Sequence, residues 1–213
     1  MNEPVCIPAD PSPECQNLRT PPATFCFDVA KTKRDPMNDK KTMRNGAHEW
    51  SDGAILVTGD SMIGGLEAQK MRAAGEVKVR VHSGANIRDM YDHLEAHLAK
   101  KTSKLVIHIA TNNTVDQTSE EILGELIELD KWVENKAGGT VKRFYSMPIE
   151  RFDHAKATIT TRHLQAKIRN SGLNFIDNSN INKDHLGKKL HHLNDIGTKI
   201  LATNIIHFLK RDI

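Results

Sequence analysis

Four residues at separated positions of the sequence could together carry out acyl transfer. Ser61 is a candidate nucleophile, and His192 is a candidate general base that takes the serine proton. The side-chain amide of Asn112 and the backbone N–H groups of Ser61 and Gly84 are candidate donors to a carbonyl oxygen as it becomes tetrahedral. A nucleophile, a base and oxyanion donors are the minimum set for this chemistry.

Each of these residues also has an ordinary structural explanation. Ser61 could be the N-cap of a helix, and Asn112 could stabilise its own turn. Gly84 could be a loop glycine with positive φ, and His192 could be a surface histidine, one of 11 in the chain. Spacing along the sequence does not decide between these explanations and a catalytic role.

The elements that must position these residues follow from the hydrophobic pattern. Short β-branched runs alternate with longer helical stretches from residue 53 onward. Alternation at this spacing indicates parallel strands joined by right-handed crossovers, so the predicted fold class is α/β, a three-layer α/β/α sandwich with about five parallel strands. The predicted strands are 54–58, 77–81, 104–110, 141–146 and 173–177, and the predicted helices are 62–74, 87–100, 118–136, 154–171 and 195–210.

The candidate residues follow the predicted strands in order. Ser61 comes after the first strand, Gly84 after the second and Asn112 after the third, while His192 precedes the last helix. Ligands bind beyond the carboxyl ends of the strands in open parallel sheets. The sequence therefore predicts that the four residues meet at one edge of the sheet.

The first 50 residues differ in composition from the rest of the chain. Seven of the eight prolines lie in residues 1–36, and residues 31–45 are polar and mostly basic. We expect residues 1–50 to be a disordered arm and residues 51–213 to be the folded domain. The basic segment 31–45 is a candidate RNA contact, and a solvated linker is the alternative.

Several classes of protein are disfavoured by the sequence. No apolar run approaches the roughly 20 residues of a membrane span, and no signal peptide opens the chain, which predicts an intracellular, cytoplasmic protein. The cysteines, Cys6, Cys15 and Cys26, are odd in number and include no Cys-x-x-Cys pair, which argues against a disulfide framework and a zinc site. We expect no metal and no organic cofactor. The sequence contains no signal from which an oligomeric state could be predicted.

Four short blocks resemble a known family. V-T-G-D-S-M, S-G-A-N-I, I-A-T-N-N-T and H-H-L-N-D-I-G-T are similar, in order, to blocks of the SGNH (GDSL-type) hydrolases, from residue 54 to about 209. F-I-D-N-S-N-I further resembles the esterase-like domain of non-LTR retrotransposon open reading frames. The resemblance implies a flavodoxin-like sandwich acting on a small acyl ester. It implies Ser61 as nucleophile, His192 as base, and Gly84 and Asn112 in the oxyanion hole.

The sequence departs from this family at two places. The aspartate expected three residues before the histidine is Lys189, and Asp184 and Asp195 are candidate replacement acids, with a main-chain carbonyl as a further alternative. In the third block, Ala110 replaces a glycine and Asn113 replaces an aspartate. Two hypotheses follow: a serine esterase that uses a Ser–His pair, or a catalytically degenerate module that binds RNA or a protein partner.

Overall fold

The computed structural model describes residues 53–98 and 102–212. The predicted N-terminal arm, residues 1–50, lies outside the described residues together with its basic segment and its three cysteines.

Five parallel strands form one sheet in the order β2-β1-β3-β4-β5. This strand order is that of flavodoxin-like folds, and the direction of winding reverses between β1 and β3. The predicted fold class is confirmed. The strands are β1 (Ala54–Gly59), β2 (Val77–Val81), β3 (Thr102–His108), β4 (Lys142–Ser146) and β5 (Phe175–Ile176).

Helices cover both faces of the sheet and bury two separate cores. Successive side chains of a strand point to opposite faces of the sheet, so alternate residues of β1 pack into different cores. Leu56 lies in the first core, whereas Ile55 and Val57 lie in the second. The first core is closed by α1, α2 and α3, and the second by α4. The helices are α1 (Asp89–Leu98), α2 (Ser119–Lys136), α3 (Ala155–Ile168) and α4 (Asp195–Arg211).

Helix α2 shows how local sequence fixes an element of this fold. The Thr118 hydroxyl accepts a hydrogen bond from the backbone N–H of Glu121, and the Glu121 carboxylate accepts one from the Thr118 N–H, which completes a capping box. One face of α2 is apolar and lies buried against the sheet: Ile122, Leu126, Leu129 and Val133.

The predicted helix 62–74 is wrong. The chain instead forms two 3-10 turns, Ser61–Ile63 and Ala68–Ala74. Gly64 and Gly65 separate them, and glycine is a poor helix former. Gly65 also packs against α4, where an added Cβ would lie 2.9 Å from the Thr198 hydroxyl oxygen. Ser61 therefore opens a short turn and not a long helix.

The third strand also ends earlier than predicted. β3 stops at His108, whereas the sequence pattern continued to Ala110. Ala110 is fully buried and has a φ of +90°, a left-handed backbone conformation that cannot continue a strand. The apolar sequence pattern therefore marks buried residues, and it continues past the residue at which the strand ends.

Candidate active site

Three neighbouring strands end level with one another. Gly59, the last residue of β1, pairs with both Val81 of β2 and His108 of β3. An added Cβ on Gly59 would lie 1.9 Å from the His108 carbonyl oxygen, so only glycine fits this position. The level ends place three of the predicted residues at one edge of the sheet: Ser61, Gly84 and Asn112.

Asp60 caps the 3-10 turn that Ser61 opens. Its carboxylate is buried, and Oδ1 accepts a hydrogen bond from the Met62 N–H at 2.9 Å. Burial raises the pKa of Asp60 to about 6, against the opposing effects of the Met62 N–H, of Thr111 and of the Arg151 charge. Because Asp60 caps this turn, the Ser61 hydroxyl is not used as the cap.

The Ser61 hydroxyl faces the imidazole of His192. Ser61 Oγ and His192 Nε2 lie 3.0 Å apart, although the two residues are 131 positions apart in the chain. In the tautomer with the proton on Nδ1, Nε2 accepts the hydrogen bond of the serine hydroxyl. This is the contact that a general base needs in order to remove the hydroxyl proton.

A closed loop formed by residues 183–193, called the histidine loop below, holds His192 in this position. Leu186 and Leu193 form an antiparallel bridge, and the Gly187 N–H donates to the His192 carbonyl oxygen at 2.8 Å. Leu190 adopts a φ of +56°, which reverses the chain just before the histidines. Its carbonyl oxygen accepts a hydrogen bond from the Phe152 N–H at 2.8 Å, so the loop after β4 is tied to the histidine loop.

Asn194 joins the histidine loop to helix α4. Its Oδ1 accepts from the Gly197 N–H at 2.9 Å, which caps the helix, while its Nδ2 donates to the carbonyl oxygens of Asp184 and Leu186. An added Cβ on Gly197 would lie 2.2 Å from the His185 carbonyl oxygen. Glycine at this position therefore allows the loop to approach the first turn of the helix.

The two predicted oxyanion residues line one pocket. Gly84 has a φ of +79°, which favours glycine, and Asn112 Nδ2 donates to the Ala85 carbonyl oxygen at 2.8 Å. A carboxamide carries two N–H protons, so this hydrogen bond leaves one proton of Asn112 for a ligand. The pocket has a volume of about 360 Å³ and contains no apolar side chain; it is lined by Gly84, Asn86, Arg88, Asn112, Asn113, Asp116, Gln117 and Glu125.

The charges around His192 disfavour its protonated form. His192 is an exposed residue, but partial desolvation lowers its pKa, and His191, Arg151 and Lys189 lower it further, whereas Asp153 raises it. The Lys189 side chain is exposed, and its carbonyl oxygen lies 3.0 Å from Nδ1 of His191. His192 therefore remains a neutral base at a lower pH than an ordinary histidine.

Neither predicted replacement acid reaches His192. Asp184 lies exposed in the 3-10 turn Lys183–His185, and Asp195 lies exposed in the first turn of α4. Asp195 lines a different pocket, of about 710 Å³, between α4 and the turn Ala68–Ala74. Within residues 53–98 and 102–212, no carboxylate pairs with a ring nitrogen of His192.

Two residues near His192 were missed by sequence reasoning. Arg151 donates two hydrogen bonds to the Asp153 carboxylate, at 2.7 and 2.6 Å, and Asp153 Oδ2 lies 3.6 Å from His191 Nδ1. The available signal was that residues 147–154 follow a strand whose carboxyl end lies at the same edge. Nothing in the sequence pairs that loop with the histidines.

Metal-ligand clusters and membrane-spanning helices are both absent from the described part of the chain. It contains no group of three or more His, Cys, Asp or Glu side chains that could hold a metal ion. None of its helices combines the length and the apolar character needed to cross a bilayer.

The fold is shared with solved hydrolase structures. A lipolytic protein of the G-D-S-L family from Veillonella parvula superimposes with a TM-score of 0.58 at 15% identity, covering 74% of this chain and 98% of its own. A lipase/acylhydrolase from Enterococcus faecalis gives 0.58 at 16%, covering 75% and 96%. A carbohydrate esterase family 3 protein from Talaromyces cellulolyticus gives 0.61 at 16%, covering 76% and 99%.

No family model and no curated protein matches the sequence. At 15 to 16% identity, the structural likeness establishes the fold and not the activity. The chain has the α/β/α fold of the GDSL-type hydrolases.

Proposed function

We propose that this chain is a serine ester hydrolase in which Ser61 is the nucleophile and His192 the general base. The observation that carries the proposal is the 3.0 Å contact between Ser61 Oγ and His192 Nε2 at the carboxyl edge of the sheet. The solved hydrolases of the same fold include esterases and acylhydrolases, which supports acyl esters as the substrate class.

The reaction divides into two acyl-transfer steps. His192 Nε2 takes the proton of Ser61 as Oγ attacks the ester carbonyl carbon, and the same proton then passes to the leaving alcohol as the C–O bond breaks. A water molecule, deprotonated by His192, then attacks the acyl carbon; the bond between that carbon and Ser61 Oγ breaks, His192 returns the proton to Oγ, and the acid is released. The free N–H of Asn112 and the backbone N–H groups of Ser61 and Gly84 are the donors to the oxyanion in both steps.

A fluorophosphonate probe and p-nitrophenyl acetate test the proposal. The acetyl ester is a suitable substrate because no apolar side chain lines the pocket beside Gly84 and Asn112, which leaves little there to hold a long acyl chain. We expect Ser61→Ala to abolish both labelling and hydrolysis, because the nucleophile is gone, and to unfold at the same temperature as the wild type.

Ser179→Ala is the matched control. Ser179 also follows a strand, and it is more exposed than Ser61, but its hydroxyl contacts Asp177 at 3.1 Å and no histidine. We expect this variant to retain full labelling and turnover. Unlabelled wild-type protein, or labelling that persists in Ser61→Ala, would reject the esterase mechanism.

The second candidate is a module that binds RNA and has lost its activity. Two observations on residues 53–98 and 102–212 support it: no carboxylate there pairs with His192, and three exposed lysines of the histidine loop make no ion pair there, namely Lys183, Lys188 and Lys189. The predicted relation to retrotransposon proteins and the basic segment 31–45 belong to this hypothesis.

A filter-binding titration with single-stranded RNA at two salt concentrations separates the candidates. If the chain binds phosphates, affinity falls steeply with salt and weakens when the three lysines become alanine. The control is Lys136→Ala, since Lys136 is paired with Glu95 at 2.7 Å. No retention of RNA at low salt contradicts this candidate.

A further inference from the structure

An arginine fixes the carboxylate of Asp153 beside the histidines. Arg151 Nε and Nη2 donate to Oδ1 and Oδ2 of Asp153, and this two-point contact leaves the carboxylate little rotational freedom. The backbone bond from Phe152 to Leu190 holds the same loop against the histidine loop. Asp153 thus has a defined position relative to the residues that follow Leu190.

His191 lies between Asp153 and His192. Its Nδ1 is 3.0 Å from the Lys189 carbonyl oxygen, an acceptor, so this nitrogen carries a proton. The Asp153 Oδ2 atom is 3.6 Å from the same nitrogen. The His191 ring then packs on the His192 ring, with centroids 4.2 Å apart and planes inclined by 59°.

These contacts restrict the His192 ring from two directions. His191 packs against the ring on one side, and Ser61 Oγ contacts Nε2 on the other. During acyl transfer His192 becomes an imidazolium that faces the cations Arg151 and Lys189 and the ionisable ring of His191. Asp153 is the anion that offsets these charges, because it raises the pKa of His192 against their effect.

On the basis of the proposed esterase function, we infer that Asp153, acting through His191, is the positioning acid of this site. It takes the place of the carboxylate that the sequence lacks at Lys189. Asp153 does not touch the reacting atoms; it orients His191, which in turn holds the ring of His192 toward Ser61.

Replacing Asp153 by asparagine tests the inference. We expect kcat for p-nitrophenyl acetate to fall roughly 10- to 100-fold with KM unchanged, a loss typical of groups that orient a catalytic side chain. The acid limb of the kcat/KM profile should move to lower pH, because the group that raises the pKa of His192 is removed. Asp153→Glu should restore part of kcat.

Glu150→Gln is the matched control on the same loop. Glu150 pairs with Arg162 at 2.9 Å and makes no contact with either histidine. We expect this variant to retain the wild-type kcat and pH profile. A loss that merely reflects a loosened loop would appear in both variants and would lower the rate equally at every pH.

A double-mutant cycle tests the route through His191. His191→Phe keeps an aromatic ring against His192 and removes the nitrogen that faces Asp153. If Asp153 acts through His191, the double variant Asp153→Asn/His191→Phe loses no more activity than the worse single variant. Fully additive losses, or wild-type kcat in either single variant, would overturn the inference. Should Asp153→Asn fail to fold, His191→Phe provides the test alone.

Failure of this inference is distinguishable from failure of the esterase proposal. If wild-type protein labels with the fluorophosphonate and Asp153→Asn labels at the same rate, only the role of Asp153 is rejected. If the wild type does not label, an NMR titration of the His192 ring still gives an answer. Its pKa should be lower in Asp153→Asn than in the wild type, and an unchanged pKa would reject the inference.

Discussion

The two halves of the candidate site are built by different means. On the serine side, the register of three adjacent strands brings Ser61, Gly84 and Asn112 to one edge. On the histidine side, His192 is held by hydrogen bonds between loops, including the bond from Phe152 to Leu190. The serine side keeps its three predicted site residues, although Ala110 and Asn113 replace an expected glycine and aspartate there, whereas the histidine side keeps His192 and has Lys189 where an acid was expected. The sheet itself thus positions the serine side, whereas the position of His192 depends on contacts between loops.

The largest effect is expected on the serine side, at Asn112. Asn112→Ala removes an oxyanion donor, so kcat for p-nitrophenyl acetate should fall roughly 10²- to 10³-fold. It also removes the hydrogen bond to Ala85, so stability should fall by about 1 kcal/mol in urea denaturation. Asn170→Ala is the control, because Asn170 makes a comparable side-chain bond to Ala166 away from the site. An unchanged kcat in Asn112→Ala would remove Asn112 from the oxyanion hole.

A smaller effect is expected on the histidine side, at Lys189. Partial desolvation is the largest cause of the lowered pKa of His192, and the Lys189 charge adds to it, so the acid limb of wild-type kcat/KM should lie below pH 6.5. Lys189→Met should raise the pKa of His192, because it removes a positive charge, and should therefore move the acid limb to higher pH. At a pH on that limb, kcat/KM should fall roughly two- to fivefold, which is the size of effect expected from an exposed charge.

The neighbouring lysine is the control for this prediction. Lys188 is also exposed and carries the same charge, so Lys188→Met changes net charge equally. A pH–rate profile of the three proteins compares the two positions directly. A limb that moves to lower pH in Lys189→Met would contradict the assignment of His192 as the base.

The smallest effect concerns stability, at Ala110. Its φ of +90° is strained for a residue with a Cβ, so Ala110→Gly should raise the free energy of unfolding by roughly 0.5–1 kcal/mol. Ala157→Gly, in helix α3 and equally buried, should lower it by roughly 1 kcal/mol. Urea denaturation measures both. A destabilised Ala110→Gly would show that the methyl group contributes more by packing than it costs in strain.

Much of the fold could be predicted from the hydrophobic pattern. Strands β1 to β4 and helices α2 to α4 lie close to their predicted ranges, because buried apolar periodicity specifies such elements directly. The prediction of a helix at 62–74 was wrong because the hydrophobic pattern contains no information on the packing of Gly65 against Thr198 of α4. Tertiary contact decided the local conformation there.

The candidate site could be predicted only in part. The positions of Ser61, Gly84 and Asn112 after successive strands follow from topology, which the sequence reveals. Asp153 could not be found in this way, because its relation to His191 depends on how two loops meet.

The bond between Phe152 and Leu190 has a consequence for how the protein can diverge. It joins main-chain atoms, so any residue other than proline at 152 can form it, whatever its side chain. Substitutions in these two loops could change the side chains that contact the leaving alcohol, while the His192 imidazole keeps its position relative to the Ser61 hydroxyl. Relatives with different substrate preferences should therefore differ first in these two segments and keep the same loop geometry.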